Sequence, residues 1–113
     1  MAYIDNLDSR MREALRATLQ LLADGPRQSD GWLVSHDFPP ASELASMLLD
    51  DLDVAEYFQR GVPPGATELD RLLASIAAHL SRIDIETAPK DILANSDWIS
   101  VCALAAKALP LVQ

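Results

Sequence analysis

The sequence predicts an all-α fold: a compact bundle of four main helices, one or two of them split, with residues 1–113 forming a single domain. Three observations predict it. Hydrophobic residues make up 50 % of the chain and are mostly Leu and Ala, a mixture that favours helix over sheet. Apolar residues recur at three- and four-residue steps, while strand formers never gather into an extended alternating run. Asp, Ser, Thr, Gly and Pro stand where helices of that spacing would start and stop. A chain of 113 residues buries roughly two-thirds of its unfolded surface, enough for a core without metal or disulfide.

The first helix is expected from about Ile4 or Asp5 to Ala23. Ile4, Leu7, Met11, Leu15, Leu19 and Leu22 form its apolar stripe, and Asp8 with Arg12 makes an i,i+4 pair on the other face. Asp24-Gly25-Pro26 supplies a C-terminal glycine and a proline that ends it. Residues 27–40 then read as a long, unusually apolar connection containing Trp32, Val34, His36 and Phe38. A second helical region begins near Ala41 or Ser42, with Leu44, Met47, Leu48 and Leu52 inward. It breaks near Asp50-Asp51-Leu52-Asp53, where Asp53 and Glu56 have capping-box spacing for a fresh helix to Arg60. Gly61 and Val62-Pro63-Pro64-Gly65 make a stiff turn. Thr67 caps the third main helix, whose stripe is Leu69, Leu72, Leu73, Ile76, Leu80 and Ile83. Thr87 opens another, with Pro89 in its first turn. Asn95 or Ser96 caps the last, from Asp97 to Leu109, where Pro110 stops it. That helix is apolar nearly all round, as a central helix or one covered by a partner is.

Seventeen acidic against nine basic side chains give a formal charge of −8, which repels phosphate backbones and anionic headgroups and favours a basic partner. Nucleic acid and membrane are therefore not expected as partners. Cys102 is the single cysteine, so no intramolecular disulfide forms. The start, Met1-Ala2-Tyr3-Ile4-Asp5, lacks the basic and apolar parts of a signal peptide, and Trp98 to Val112 is too short to span a bilayer. A cytoplasmic location is expected.

No constellation points to catalysis, a cofactor or a metal. Cys102 lies between Val101 and Ala103 with no basic neighbour to lower its pKa, as a buried small hydrophobe does. His36, His79 and Cys102 match no zinc spacing. All four glycines read as turn residues, and none forms a phosphate loop. Two features remain as candidate partner-binding residues. Trp32, His36, Asp37 and Phe38 have the aromatic-plus-charge make-up of a binding hot spot, or else the two aromatics fold back over the bundle. Asp50, Asp51, Asp53 and Glu56 form the densest charge run, with Tyr57 beside it, either a steering patch for Lys and Arg or a solvated helix face. The run lacks the glycine and ligand spacing of a calcium loop.

Leu72-Leu73-Ala74-Ser75-Ile76-Ala77-Ala78, then Asp84 to Pro89, then Asp91-Ile92-Leu93 set an Ala-rich helix, a short acidic break and another helix in order. This order resembles the C-terminal half of small helical immunity proteins that neutralise toxins passed between competing bacteria. The resemblance covers under a third of the chain. It departs from the family pattern at Ser75, near the usual glycine, and at Leu80, near the usual acidic residue, so no site residue is carried over. It implies a stoichiometric inhibitor. The residues alone leave three readings: a non-catalytic binder of a basic protein, a homo-oligomeric subunit paired through the last helix or the Ile4-to-Leu22 stripe, and an acidic DNA mimic.

Overall fold

The helix starts are set by side chains that accept the first free amides. Asp8 accepts from the Met11 amide at 2.8 Å, Asp24 from Arg27 at 3.1 Å, and Asn95 from Asp97 and Trp98 at 2.8 and 3.3 Å. Thr67 and Asp70 form a reciprocal capping box. In this computed structural model, which describes residues 2–112, these caps open α1 (Ser9–Ala23), α2 (Gly25–Leu33), α7 (Ser96–Ala108) and α5 (Glu68–Leu80). The remaining segments are α3 (Ala41–Ser46), α4 (Val54–Tyr57) and α6 (Pro89–Ala94), with 3-10 turns at Tyr3–Asn6 and Leu109–Leu111. Among the described residues the chain is all-helical, without a strand, in seven α-helical segments where four main helices are expected. Met1 and Gln113, the ends of the expected domain, lie outside the described residues.

Helix α7 is the hub. It packs on α5 and α1 and also meets α6, which covers one side of its apolar circumference and leaves Ile99 56 % exposed on the other. Trp98, Val101, Ala105 and Ala108 are buried against Leu15, Leu19 and Leu22 of α1 and Leu73 and Ile76 of α5 within one core. The radius of gyration is 13.6 Å, close to the about 13 Å expected of a single compact domain of roughly 100 residues.

Four expectations need correction. Residues 27–40 are not one long loop, because Asp24-Gly25-Pro26 both ends α1 and begins α2: Asp24 is the N-cap and Pro26 sits in the first turn. The first helix starts at Ser9, since Asp8 caps it; the Asp8 carboxylate is thereby occupied, and Arg12 Nε donates to the Leu7 carbonyl at 3.2 Å instead of pairing with Asp8. Asp53 precedes α4 but makes no capping bond, because its backbone is left-handed at φ +57°. Thr87 lies outside α6, which follows Ala88. Between α3 and α4 the chain widens into a π-helical stretch, Met47–Asp51, closed by the Leu52 amide on the Met47 carbonyl at 3.1 Å.

The N-terminal turn is locked over this stretch. The Tyr3 amide donates to buried Asp70 at 3.0 Å and the Tyr3 hydroxyl donates to the Leu52 carbonyl. Burial, then the nearby Asp53 carboxylate, pushes the Tyr3 phenol from 10.0 up to about 12. A raised value means the neutral phenol is the one the fold favours. Its contribution is fully present below pH 10 and is lost as pH rises toward 12, about 2–3 kcal/mol by linkage. Urea unfolding at pH 8 and near pH 12 should show that difference, and Tyr3→Phe should remove it, costing stability at pH 8 but not near pH 12, where the wild-type phenol's contribution is gone.

Candidate functional site

The two candidate patches lie in different clefts. Gly31, Trp32, His36 and Phe38 line a cleft of about 220 Å³ closed on the far side by Ile85, Pro89 and Ile92. Asp50, Asp53, Glu56 and Gln59 line another, of about 500 Å³, beside the π-helical stretch.

In the first cleft the aromatic side chains serve the core. Trp32 and Phe38 are each only 7 % exposed. Their rings meet edge-on at 6.4 Å, Trp32 lies 5.6 Å from the buried Trp98 ring, and Trp32 Nε1 donates to the Pro39 carbonyl at 2.7 Å. The Arg27 guanidinium sits 5.4 Å over the Phe38 ring. Of the two alternatives for these aromatics, the fold takes the one in which they cover the bundle. His36 and Asp37 stay exposed; His36 holds a left-handed φ of +57°, and Asp37 accepts from the Ser35 hydroxyl at 2.5 Å. What brings the segment inward is Gly31, against whose missing Cβ the Phe38 side chain packs.

The acidic run differs. Asp50, Asp51, Asp53 and Glu56 are all exposed within seven residues, and among the described residues no cation pairs with any of them. Asp50 accepts from the Ser46 hydroxyl at 3.2 Å, a bond that leaves its charge facing solvent. Tyr57 is half-buried, its ring edge-on to Tyr3 at 5.1 Å and to Phe58 at 4.7 Å. Beneath the carboxylates Leu48, Leu52, Val54 and Phe58 are buried. The charges therefore stand on an anchored platform and not on a free loop.

Two polar groupings escape a linear reading. His79 Nδ1 lies 2.7 Å from Asp97 Oδ1, with Arg82 Nη1 at 3.3 Å on the same oxygen. The His79 hydrogen bond is the largest influence holding the Asp97 carboxyl below its usual range, and Arg82 adds to it. The group ties the end of α5 to the start of α7, each charge matching its helix terminus. A histidine–carboxylate pair suits proton transfer only beside a bound substrate, and neither cleft described above includes it.

Gln28 is fully buried. Its Nε2 donates to the Leu21 and Leu22 carbonyls at 2.8 and 2.9 Å, and its Oε1 accepts from Trp98 Nε1 at 3.0 Å and Cys102 Sγ at 3.6 Å. Burial pushes the Cys102 thiol up, away from the thiolate a nucleophile needs. Among the described residues no group of three His, Cys, Asp or Glu side chains is placed to hold a metal ion, and no helix is long and apolar enough to cross a membrane. Compared with protein families, with curated proteins and with solved structures, the chain matches none.

Proposed function

We propose that this chain is a non-catalytic, cytoplasmic protein-binding module that blocks a basic partner by occlusion, in the manner of an immunity protein. The observation that carries the reading is the exposed carboxylate group Asp50, Asp51, Asp53 and Glu56, paired with no cation among the described residues and carried on a buried apolar base. The formal charge of −8 draws a basic partner toward it and speeds encounter. His36 and Asp37 offer a second exposed polar contact at a separate cleft, with Trp32 and Phe38 buried as its support.

The homo-oligomer reading keeps only part of its two faces, with Ile99 on the last helix and Met11 on the first stripe open to solvent. Leu15, Leu19 and Leu22 of the first stripe and Val101 and Ala105 of the last helix are wholly buried, so pairing through them would open the core. The DNA-mimic reading has only this short acidic run behind it, against a duplex charge every ~1.7 Å along many turns.

Exposed ion pairs contribute about 0.2–1 kcal/mol each. Four together give about 1–4 kcal/mol, so the combined D50N/D51N/D53N/E56Q variant should bind its partner at least about fivefold more weakly at low salt. The salt dependence should flatten while thermal unfolding stays where it was. Calorimetric titration of partner into both proteins reads this; equal affinities would remove the acidic face from the interface.

A further inference from the structure

Beside the acidic run lies a groove of about 570 Å³ between α1 and the π-helical stretch. Met11, Ala14 and Ala17 line it from α1, at successive three-residue steps on one face, and Met47 and Asp51 line the opposite wall. Ala14 and Ala17 are exposed and Met11 and Met47 half-buried, so the apolar surface is open to solvent.

We propose that this groove is the docking site for a basic amphipathic helix of the partner. This rests on the acidic-face reading above and adds where the partner lies and what shape it has. The two alanines leave a shallow trough into which a second backbone can come close. The two methionine thioethers flank it with flexible, polarizable walls that adapt to differing apolar anchors. An amphipathic helix lays such anchors into a groove at i, i+3 or i+4, and i+7.

Charge decides the occupant. Asp51 belongs to the groove wall, and Asp50, Asp53 and Glu56 continue the negative surface outward from it. Asp8 adds a carboxylate at the α1 end, although one of its oxygens is engaged by the Met11 amide. Arg10 is the single basic side chain lining the groove. A helix with apolar anchors and a Lys- or Arg-rich flank toward residues 50–56 matches this pattern. A second copy of the chain, with its own charge of −8, would be repelled, as would an anionic lipid surface.

The probes are two synthetic peptides of about 18 residues, five helical turns, and of equal positive charge. One is a Leu/Lys sequence with helical amphipathic spacing; the other has every Leu replaced by Ser. Calorimetry should show the Leu/Lys peptide binding at least tenfold more tightly than the Lys/Ser peptide. In methyl NMR its addition should shift the Met11 and Met47 resonances. Ala14→Glu should weaken it at least tenfold although the variant is more negative, because a carboxylate then occupies the apolar floor. Ala14 is exposed on a helix and Glu is a good helix former, so unchanged thermal unfolding checks the fold. Equal binding of both peptides, with Ala14→Glu leaving them unchanged or tighter, would overturn the groove and leave the acidic face standing. Tight Leu/Lys binding with the Met11 and Met47 methyls unmoved would also overturn it. Binding of neither peptide would overturn both readings.

Discussion

Gln28→Leu is expected to destabilise the chain by about 3–5 kcal/mol, a large share of the 5–15 kcal/mol that holds a small domain together. Leucine fills nearly the same volume, so packing is not the cause. The substitution leaves the Leu21 and Leu22 carbonyls at the end of α1 and the Trp98 indole N–H without the partner that now joins them. An unpartnered buried polar group costs about 1–3 kcal/mol, and three are created at once. Gln28→Glu separates the parts: it keeps the acceptor for Trp98 but turns a carboxylate toward two carbonyl oxygens. It should be at least as damaging at neutral pH and partly recover in mild acid, where the protonated group can donate. Urea unfolding of the three proteins measures all of this. A loss under ~1 kcal/mol for Gln28→Leu would mean that other donors reach those carbonyls.

Gly31→Ala is expected to be the most damaging single-methyl change. The added Cβ would stand 2.2 Å from Phe38 Cβ and 3.1 Å from its Cγ, with the Phe38 Cα at 3.3 Å, so rotation of one side chain cannot clear it. Overpacking of this kind costs roughly 1–3 kcal/mol, and a 2.2 Å contact belongs at the upper end; against about 1 kcal/mol gained from helix propensity, the net loss is about 2 kcal/mol. The relief is for residues 34–38 to lift away and expose Trp32, which a red shift in tryptophan emission would report. Gly25→Ala is the control: nothing lies within 4 Å of its Cβ position, so it should be neutral or slightly stabilising.

These two residues also mark where the sequence is hard to read. Local chemistry is legible: the end of α1 at Asp24, the Thr67–Asp70 capping box and the Asn95 cap each need only side chains and amides a few residues apart. Helix α2 is hidden because the residues that stop α1 also start it, and because its inward face carries Gln28 and Gly31 among the apolar positions. A polar side chain in an apolar slot reads as exposed until its partners, as many as 74 residues away, are in place. Whether Trp32 and Phe38 face solvent is likewise decided by the close approach at Gly31. The His79–Asp97 pair, 18 residues apart, needs the α5–α7 packing to exist. The π-helical stretch leaves no mark, since Met47-Leu48-Leu49 suits an α-helix equally well. The acidic run is plain in the sequence as composition. That no cation among the described residues pairs with it, and that it is anchored beneath and bordered by a methionine-lined groove, emerges only from the fold.

The proposed role of this chain is to bind a basic protein through its acidic face. The most direct measurement is affinity capture from the source cell with the intact chain and with the D50N/D51N/D53N/E56Q variant, each washed at low and high salt, with the bound proteins identified and quantified. The account predicts one stoichiometric basic partner that is held at low salt, released at high salt and lost by the variant. Recovery of the chain alone as a discrete oligomer, or of a partner held equally by both proteins at both salts, would contradict it.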